Sequence, residues 1–314
     1  MIRLSDSLSS SSPPSSPIIM SGKPVRRVGV IGFGKVGQFL VGKILEDTSG
    51  SMELAFVVDL FNPAGVMDSE IIPAGCKAAN LDDYQSFNAD VIAEVAHPDV
   101  SKDHGAKFIN GGCDYLSAST TAFANPEVEA SVYTAARSDT NNCGLYLAQG
   151  ALWGAPDIQR MAESGKLAKL TVTMKKHPES LFPLKSSPEF EANEAAKGKQ
   201  EECVLYDGPT RPLAATFPVN VNTICTAAIA ANTSVGFDTR AILIADARLE
   251  EMQIIVKAEG PPMPDGSPGV RITTVRENPS KRGEVTGHAT LLSFFSSLKR
   301  LCNGAPLGRG VHLI

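Results

Sequence analysis

The sequence predicts an α/β fold: a doubly wound parallel sheet, followed by a second α+β domain that carries a mixed or antiparallel sheet. Three observations carry that prediction. From Arg26 to Ala148, apolar strand-like runs alternate with helical runs, the pattern of βαβ units. The first run, Arg26–Ile31, opens directly into Gly32-Phe33-Gly34-Lys35-Val36-Gly37 and then into an amphipathic stretch over 38–46. Beyond Trp153 the pattern changes to alternating, half-exposed strands. At 314 residues the chain exceeds what one hydrophobic core usually serves, so two domains are expected.

The glycine hexad is the phosphate-cradling turn of a Rossmann-type dinucleotide-binding domain. Gly32 permits the tight turn, Gly34 lets main chain approach a pyrophosphate, and Gly37 lets helix and strand pack closely. The helix N-terminus then faces the negative charge, with Phe33, Lys35 and Val36 filling the remaining positions of the cradle. Such a turn alone also serves purely structural ends, and the next strand supplies the context. It spans 54–58 and ends in Asp59, about twenty residues past Gly37, where a carboxylate accepts ribose hydroxyls. Leu60 and Phe61 follow, with no arginine to meet a 2′-phosphate, so the cofactor reads as NAD, with NADP possible.

The run 89–96 is apolar at nearly every position and suits a central parallel strand covered on both faces. Glu94 within it would be buried and demands a partner. Ala96 and His97 follow at the carboxyl edge of the sheet, where ligands of open α/β sheets lie. A helix begins at Pro98 and stops at Gly111-Gly112; a strand over 115–119, a helix over 126–137 and a strand over 144–148 complete the alternation. The second domain opens with a helix ended by Gly165 and a strand over 167–174. After a polar loop or helix over 185–202, Asn220-Val221-Asn222 caps an alanine-rich helix over 223–231, and strands follow over 241–245, 252–258 and 270–275. A last helix, 286–301, carries a broad apolar face and is expected to dock back on the first domain. The expected division is a disordered tail over 1–24, a dinucleotide-binding domain over 25–150, a substrate and dimerisation domain over 151–283, and a returning segment over 284–314. The tail is serine- and proline-rich and nearly free of arginine, unlike a mitochondrial presequence, and Met20 is as serviceable a start as Met1.

A net charge of −5 argues against a nucleic-acid or anionic-membrane partner. The six cysteines form no CxxC pair and read as reduced thiols of a cytoplasmic protein. No GxSxG, HExxH or GxxxxGK[ST] pattern is present, and no histidines have metal-ligand spacing.

Four separated motifs resemble the L-aspartate dehydrogenase family, more closely its animal branch: Gly150 to Ile158, Pro218 to Thr223, Ala245-Asp246, and an Arg276 to Ser280 turn. The resemblance runs from about Arg26 to Ile314. It implies NAD(P)-dependent oxidative deamination of L-aspartate, or of a similar dicarboxylic amino acid, with Ala151 and Asn222 at the nicotinamide and its ribose. It also implies a homodimer, in keeping with the base rate of symmetric dimers. The family places a catalytic histidine on the strand after the Ala-Asp turn, and Gln253 occupies that slot here. Glutamine hydrogen-bonds but does not titrate. His177 is the candidate substitute, and Lys175 and Lys176 beside it are candidates to bind the carboxylates, although all three also fit an ordinary strand end. Two alternatives to a working dehydrogenase stay open: a dinucleotide-binding sensor or interaction module with weakened chemistry, and an imine or keto-acid reductase with a changed substrate.

Overall fold

The computed structural model describes residues 25–304 and 307–314, so the tail expected over 1–24 lies outside the described residues. Strands β1 (Arg26–Ile31), β2 (Met52–Val58), β3 (Val91–Glu94), β4 (Asp114–Ser117) and β5 (Leu145–Leu147) pair in parallel. Helix α1 (Lys35–Leu45) follows β1 directly, and α2 (Pro126–Arg137) precedes β5. Between β3 and β4 the chain is helical from Pro98 to Asn110, with a π-helical segment at Ser101–Gly105.

After α3 (Ala155–Glu163) the second sheet is built from β6 (Lys169–Lys176), β7 (Cys203–Pro209), β8 (Arg240–Ala245), β9 (Glu251–Glu259) and β10 (Arg271–Pro279), in the order β10-β9-β6-β8-β7. It is mixed: β6 and β8 run parallel, and the other neighbours antiparallel. Three helices lie among these strands: α4 (Pro188–Ala196), α5 (Thr210–Thr216) and α6 (Asn222–Ala230). Along β6 the side chains of Leu170, Val172 and Met174 alternate into a core shared with Ile224 and Ala228 of α6. Two expectations are corrected here. Arg276 to Pro279 is not a turn but the end of β10, paired residue by residue with β9. Strand β7 and helix α5 were not anticipated, because a short run mixing Cys203, Tyr206, Asp207 and Gly208 shows no clean period.

The chain then returns to the first sheet through α7 (His288–Asn303) and β11 (Val311–Leu313), which pairs with β5 and completes the order β11-β5-β4-β3-β1-β2. The strand order reverses between β1 and β3, the switch point at which such sheets bind ligands. Leu298 and Leu301 of α7 pack with Val28 and Val30 of β1 and with Leu40 and Val41 of α1, so the docking of the last helix is a core contact. All six cysteines are free. Leu298 is fully buried, at 0 % exposure. Leu298→Ala should therefore cost about 2–4 kcal/mol, read as a lower urea midpoint with an unchanged slope.

Candidate functional site

The glycine cradle has the geometry a pyrophosphate needs. Gly32 takes φ +100°, a region that disfavours side chains, and a Cβ there would meet Ala96 at 2.9 Å. A Cβ on Gly37 would lie 1.8 Å from the Gly32 carbonyl, so only hydrogen lets α1 start this close to β1. On Gly34 a Cβ would meet nothing within 4 Å; that side is open to an approaching ligand. The first turn of α1 holds no acidic residue and no side chain caps it, so its N–H groups are available to an anion. Val36 packs on the core, and Lys35 pairs with Glu284 at 2.8 Å, reaching from the cradle to the segment before α7.

Asp59 has a part that its sequence position did not reveal. One carboxylate oxygen accepts from the Phe33 amide at 2.6 Å, and the other accepts from the amides of Phe61 and Asn62 at 2.8 and 2.9 Å. It thereby clamps the glycine turn to the end of β2. A carboxylate offers about four acceptor positions, so capacity for one ribose hydroxyl remains.

Glu94, whose partner the sequence could not name, is completely buried and meets five donors. They are the amides of Ala96 (2.8 Å), His97 (3.0 Å) and Ser119 (3.3 Å) and the hydroxyls of Ser117 (3.0 Å) and Ser119 (2.9 Å). Burial pushes its pKa up, while these donors pull it down. The His97 ring accepts from the Asp99 amide at 3.3 Å, caps the following helix, and meets Phe61 edge-on at 5.7 Å. Ala96 thus lies against the glycine turn and His97 against Phe61, just past Asp59.

A cleft lies where the ends of β4 and β5 meet the second sheet. Ala148 and Ala151 line it from one side, Asn222 and Thr226 of α6 from another, and Met252 of β9 with Thr290 of α7 from the rest. Asn222 is not a cap, as the sequence suggested: Val221 holds that position, and Asn222 is the first helical residue. Its Oδ1 accepts from the amide and hydroxyl of Thr121, at 3.0 and 3.1 Å. This contact ties α6 to the first sheet and leaves the amide nitrogen to donate into the cleft.

The structure separates the proposed catalytic residues. Gln253 donates to Glu251 at 2.7 Å, and its pairing partner across the strands, Lys175, is bound to Glu202 at 2.5 Å. Successive strand residues face opposite sides, so the presence of Met252 in the cleft puts Gln253 on the far face. The side chain that β9 presents to the cleft is Met252. His177 is buried beyond the end of β6, where its ring accepts from the Glu179 amide at 3.2 Å and burial lowers its pKa; it lies outside the cleft lining. Lys176 is on the inner face, 2 % exposed, and donates to the Val285 carbonyl at 2.7 Å, with its pKa pushed down to about 8 by burial.

Arg276 and Asn278, which carried no sequence signal beyond their motif, lie beside the cleft. Arg276 donates to the Ala151 carbonyl at 2.9 Å and to Asn278 Oδ1 at 3.0 Å. Among the described residues no group of three or more His, Cys, Asp or Glu side chains is placed to hold a metal ion. Nor is any helix there long and apolar enough to cross a membrane.

Comparison with known proteins gives two family matches, "Aspartate dehydrogenase, C-terminal" over residues 157–301 and "Homoserine dehydrogenase, NAD binding domain" over residues 32–147. The chain is 38 % identical to the aspartate dehydrogenase domain-containing protein of Xenopus tropicalis, over 89 % of this chain and 95 % of that one. It is 26 % identical to the L-aspartate dehydrogenase of Methanosarcina barkeri, over 90 % of this chain and 99 % of that one. The crystal structure of aspartate dehydrogenase from Thermotoga maritima shares the fold, with a TM-score of 0.60 at 18 % identity over 88 % of this chain and 96 % of that one.

The Lys176 ammonium gives the site a pH signature. Its pKa falls from 10.5 in the open chain to about 8 in the fold, so between those values the unfolded state holds a proton that the native state has lost. Stability attributable to this group therefore rises with pH through that window, by on the order of 3 kcal/mol, and below pH 8 the cost of the buried charge is borne in full. Urea titrations at intervals from pH 7 to 10 should show Lys176→Met gaining most on the wild type near pH 7, with the difference shrinking toward pH 10.

Proposed function

The chain belongs to the aspartate dehydrogenase family, and from that premise we propose that it catalyses NAD(P)-dependent oxidative deamination of L-aspartate or the reverse reductive amination. The observation that supports this reading is the shared cleft, in which the carboxyl ends of β4 and β5, the start of α6 and the inner face of the second sheet meet. Gly32 to Gly37, Asp59, Ala96 and His97 would hold the dinucleotide, with Ala151 and Asn222 at its reactive end. When bound, the nicotinamide supplies a hydride acceptor, so that L-aspartate gives iminoaspartate and, with water, oxaloacetate and ammonia. The chain's own part is to orient the amino acid, to exclude bulk water with Met252 and Phe294, and to accept the released proton. Lys176 is a buried titratable group on that face. Asp59 without a neighbouring arginine supports NAD over NADP.

A cytoplasmic homodimer is part of the same reading. Free cysteines support the compartment. The outer face of the second sheet supports the dimer, since Val204 and Val275 stand 62 % and 60 % exposed there.

One observation favours a second reading, a dinucleotide-binding protein with feeble turnover: neither Met252 nor Gln253 gives the cleft a titratable group on β9. The two readings part in one experiment. Following aspartate-dependent NADH formation, Met252→His should raise turnover by roughly 100-fold or more, the scale of general acid–base catalysis, whereas Gln253→His should leave it within about twofold of wild type. Absence of aspartate- or oxaloacetate-dependent turnover in both the wild type and Met252→His would overturn the dehydrogenase reading and leave the binding one.

A further inference from the structure

The turn at the reactive end of the cleft is held from the second sheet. Gly150 and Ala151 line the cleft, and Gly150 takes φ +57°, a left-handed conformation that side chains disfavour. A Cβ on Gly150 would lie 3.8 Å from the Phe294 ring and 3.9 Å from Thr290, so α7 backs the turn on one side. The Leu152 amide donates to the Gln149 carbonyl at 3.0 Å and closes the turn within the first domain. The Ala151 carbonyl accepts from Arg276 at 2.9 Å, across a separation of 125 residues. That donor arrives from β10, an edge strand of the other sheet. The Ala151 carbonyl and the Leu152 amide belong to one planar peptide unit. Its N–H is therefore pinned from the first domain and its C=O from the second.

Arg276 is in turn oriented. Its Nε donates to Asn278 Oδ1 at 3.0 Å, and residues two apart on a strand share a face. Asn278 is 2 % exposed and pairs across the strands with Met252, which lines the cleft. The Asn278 Nδ2 atom is enclosed with no hydrogen-bond partner, a cost that an apolar residue would avoid. A guanidinium is a planar fork of fixed donors, so holding Nε sets the direction of the remaining N–H groups. Arg276 is half-buried and burial lowers its pKa, with no acid acting against that shift. Its two contacts, with Asn278 and Ala151, are both to neutral oxygens.

Resting on the reading that the nicotinamide lies at Ala151, we propose that Arg276, oriented by Asn278, is the positioning residue for the nicotinamide end of the dinucleotide. It does not line the cleft and acts through the Ala151 carbonyl, which fixes the turn that meets the ring. The groups that would hold the adenosine and pyrophosphate are independent of it. Asp59 and Gly32 draw their hydrogen bonds from the first domain alone.

The test is calorimetric titration with NADH and with ADP, which keeps adenosine and pyrophosphate but lacks the nicotinamide and its ribose. Arg276→Met removes both donors and keeps much of the apolar stem. It should weaken NADH about tenfold, the scale of a lost hydrogen bond from a charged donor, and leave ADP within twofold of wild type. Arg276→Lys keeps the charge and a donor for the carbonyl but not the fork, and should recover part of the loss, weakening NADH about threefold. Wild-type NADH affinity in Arg276→Met, or equal weakening of NADH and ADP in either variant, overturns the proposal. Where Arg276→Met does not fold, Arg276→Lys decides alone, and unchanged NADH affinity there overturns it. The readings fail separately. Wild-type protein that binds ADP as tightly as NADH overturns the placement of the nicotinamide, and the proposal with it. Selective loss of NADH in Arg276→Met without any aspartate-dependent turnover in the wild type overturns only the dehydrogenase reading. Aspartate oxidation with an unchanged KM for NAD in Arg276→Met overturns only the positioning role.

Discussion

The carboxylate of Glu94 is the constraint around which the cofactor edge is arranged. A completely buried charge at the end of a central strand is tolerable only if donors surround it, and the donors here are the chain turns that leave β3 and β4. Fixing the Ala96 and His97 amides fixes the surface on which Gly32 packs, since a single added carbon on Gly32 would collide with Ala96. Asp59 repeats the device one strand away by holding the Phe33 amide from the end of β2. Two carboxylates therefore position the glycine turn from both sides of the switch point, and neither needs a cation to do so.

The second sheet inverts that electrostatic logic. The first has anions satisfied by main-chain N–H groups, whereas the inner face of the second has cations satisfied by carbonyls. Lys176 and Arg276 lie beside the cleft, holding the carbonyls of Val285 and Ala151, which line it. Met252 and Phe294 give the cleft an apolar lining, which strengthens polar interactions inside it.

Much of this was legible in the sequence, and the failures share a physical cause. β1 and α2 read clearly because strands buried on both faces and proline-started helices write their own signals. The hold of Asp59 on the Phe33, Phe61 and Asn62 amides was not legible, whereas the glycine turn read clearly because a side chain on Gly32 or Gly37 would collide with Ala96 or with the Gly32 carbonyl. Gln253 did not, since alternation along β9 shows that neighbours face opposite sides but not which side is the cleft; that depends on where α6 and α7 pack. Asn222 was misread for a similar reason. An asparagine at a helix start satisfies local capping rules, yet its oxygen is taken by Thr121, a hundred residues earlier in the chain. Arg276 looked like part of a turn because Asn278-Pro279 is a turn signal, and only pairing with β9 turns the segment into an edge strand, where a terminal proline is tolerated.

What remains is why the fold tolerates Lys176, a buried amine with no counter-charge, at all. An apolar residue of similar volume at 176 would be the more stable choice if stability alone set the sequence. The burden is carried by the first sheet, whose two faces are closed by continuous apolar packing, including the return of α7 onto β1 and α1. That return also delivers the start of α7, with its unmatched Thr290, to the cleft. The helix that secures the core is thus the one whose first turn lines the cleft. Core packing at Leu298 and Leu301 fixes one end of the helix, and that placement sets Thr290 and Phe294 at the cleft.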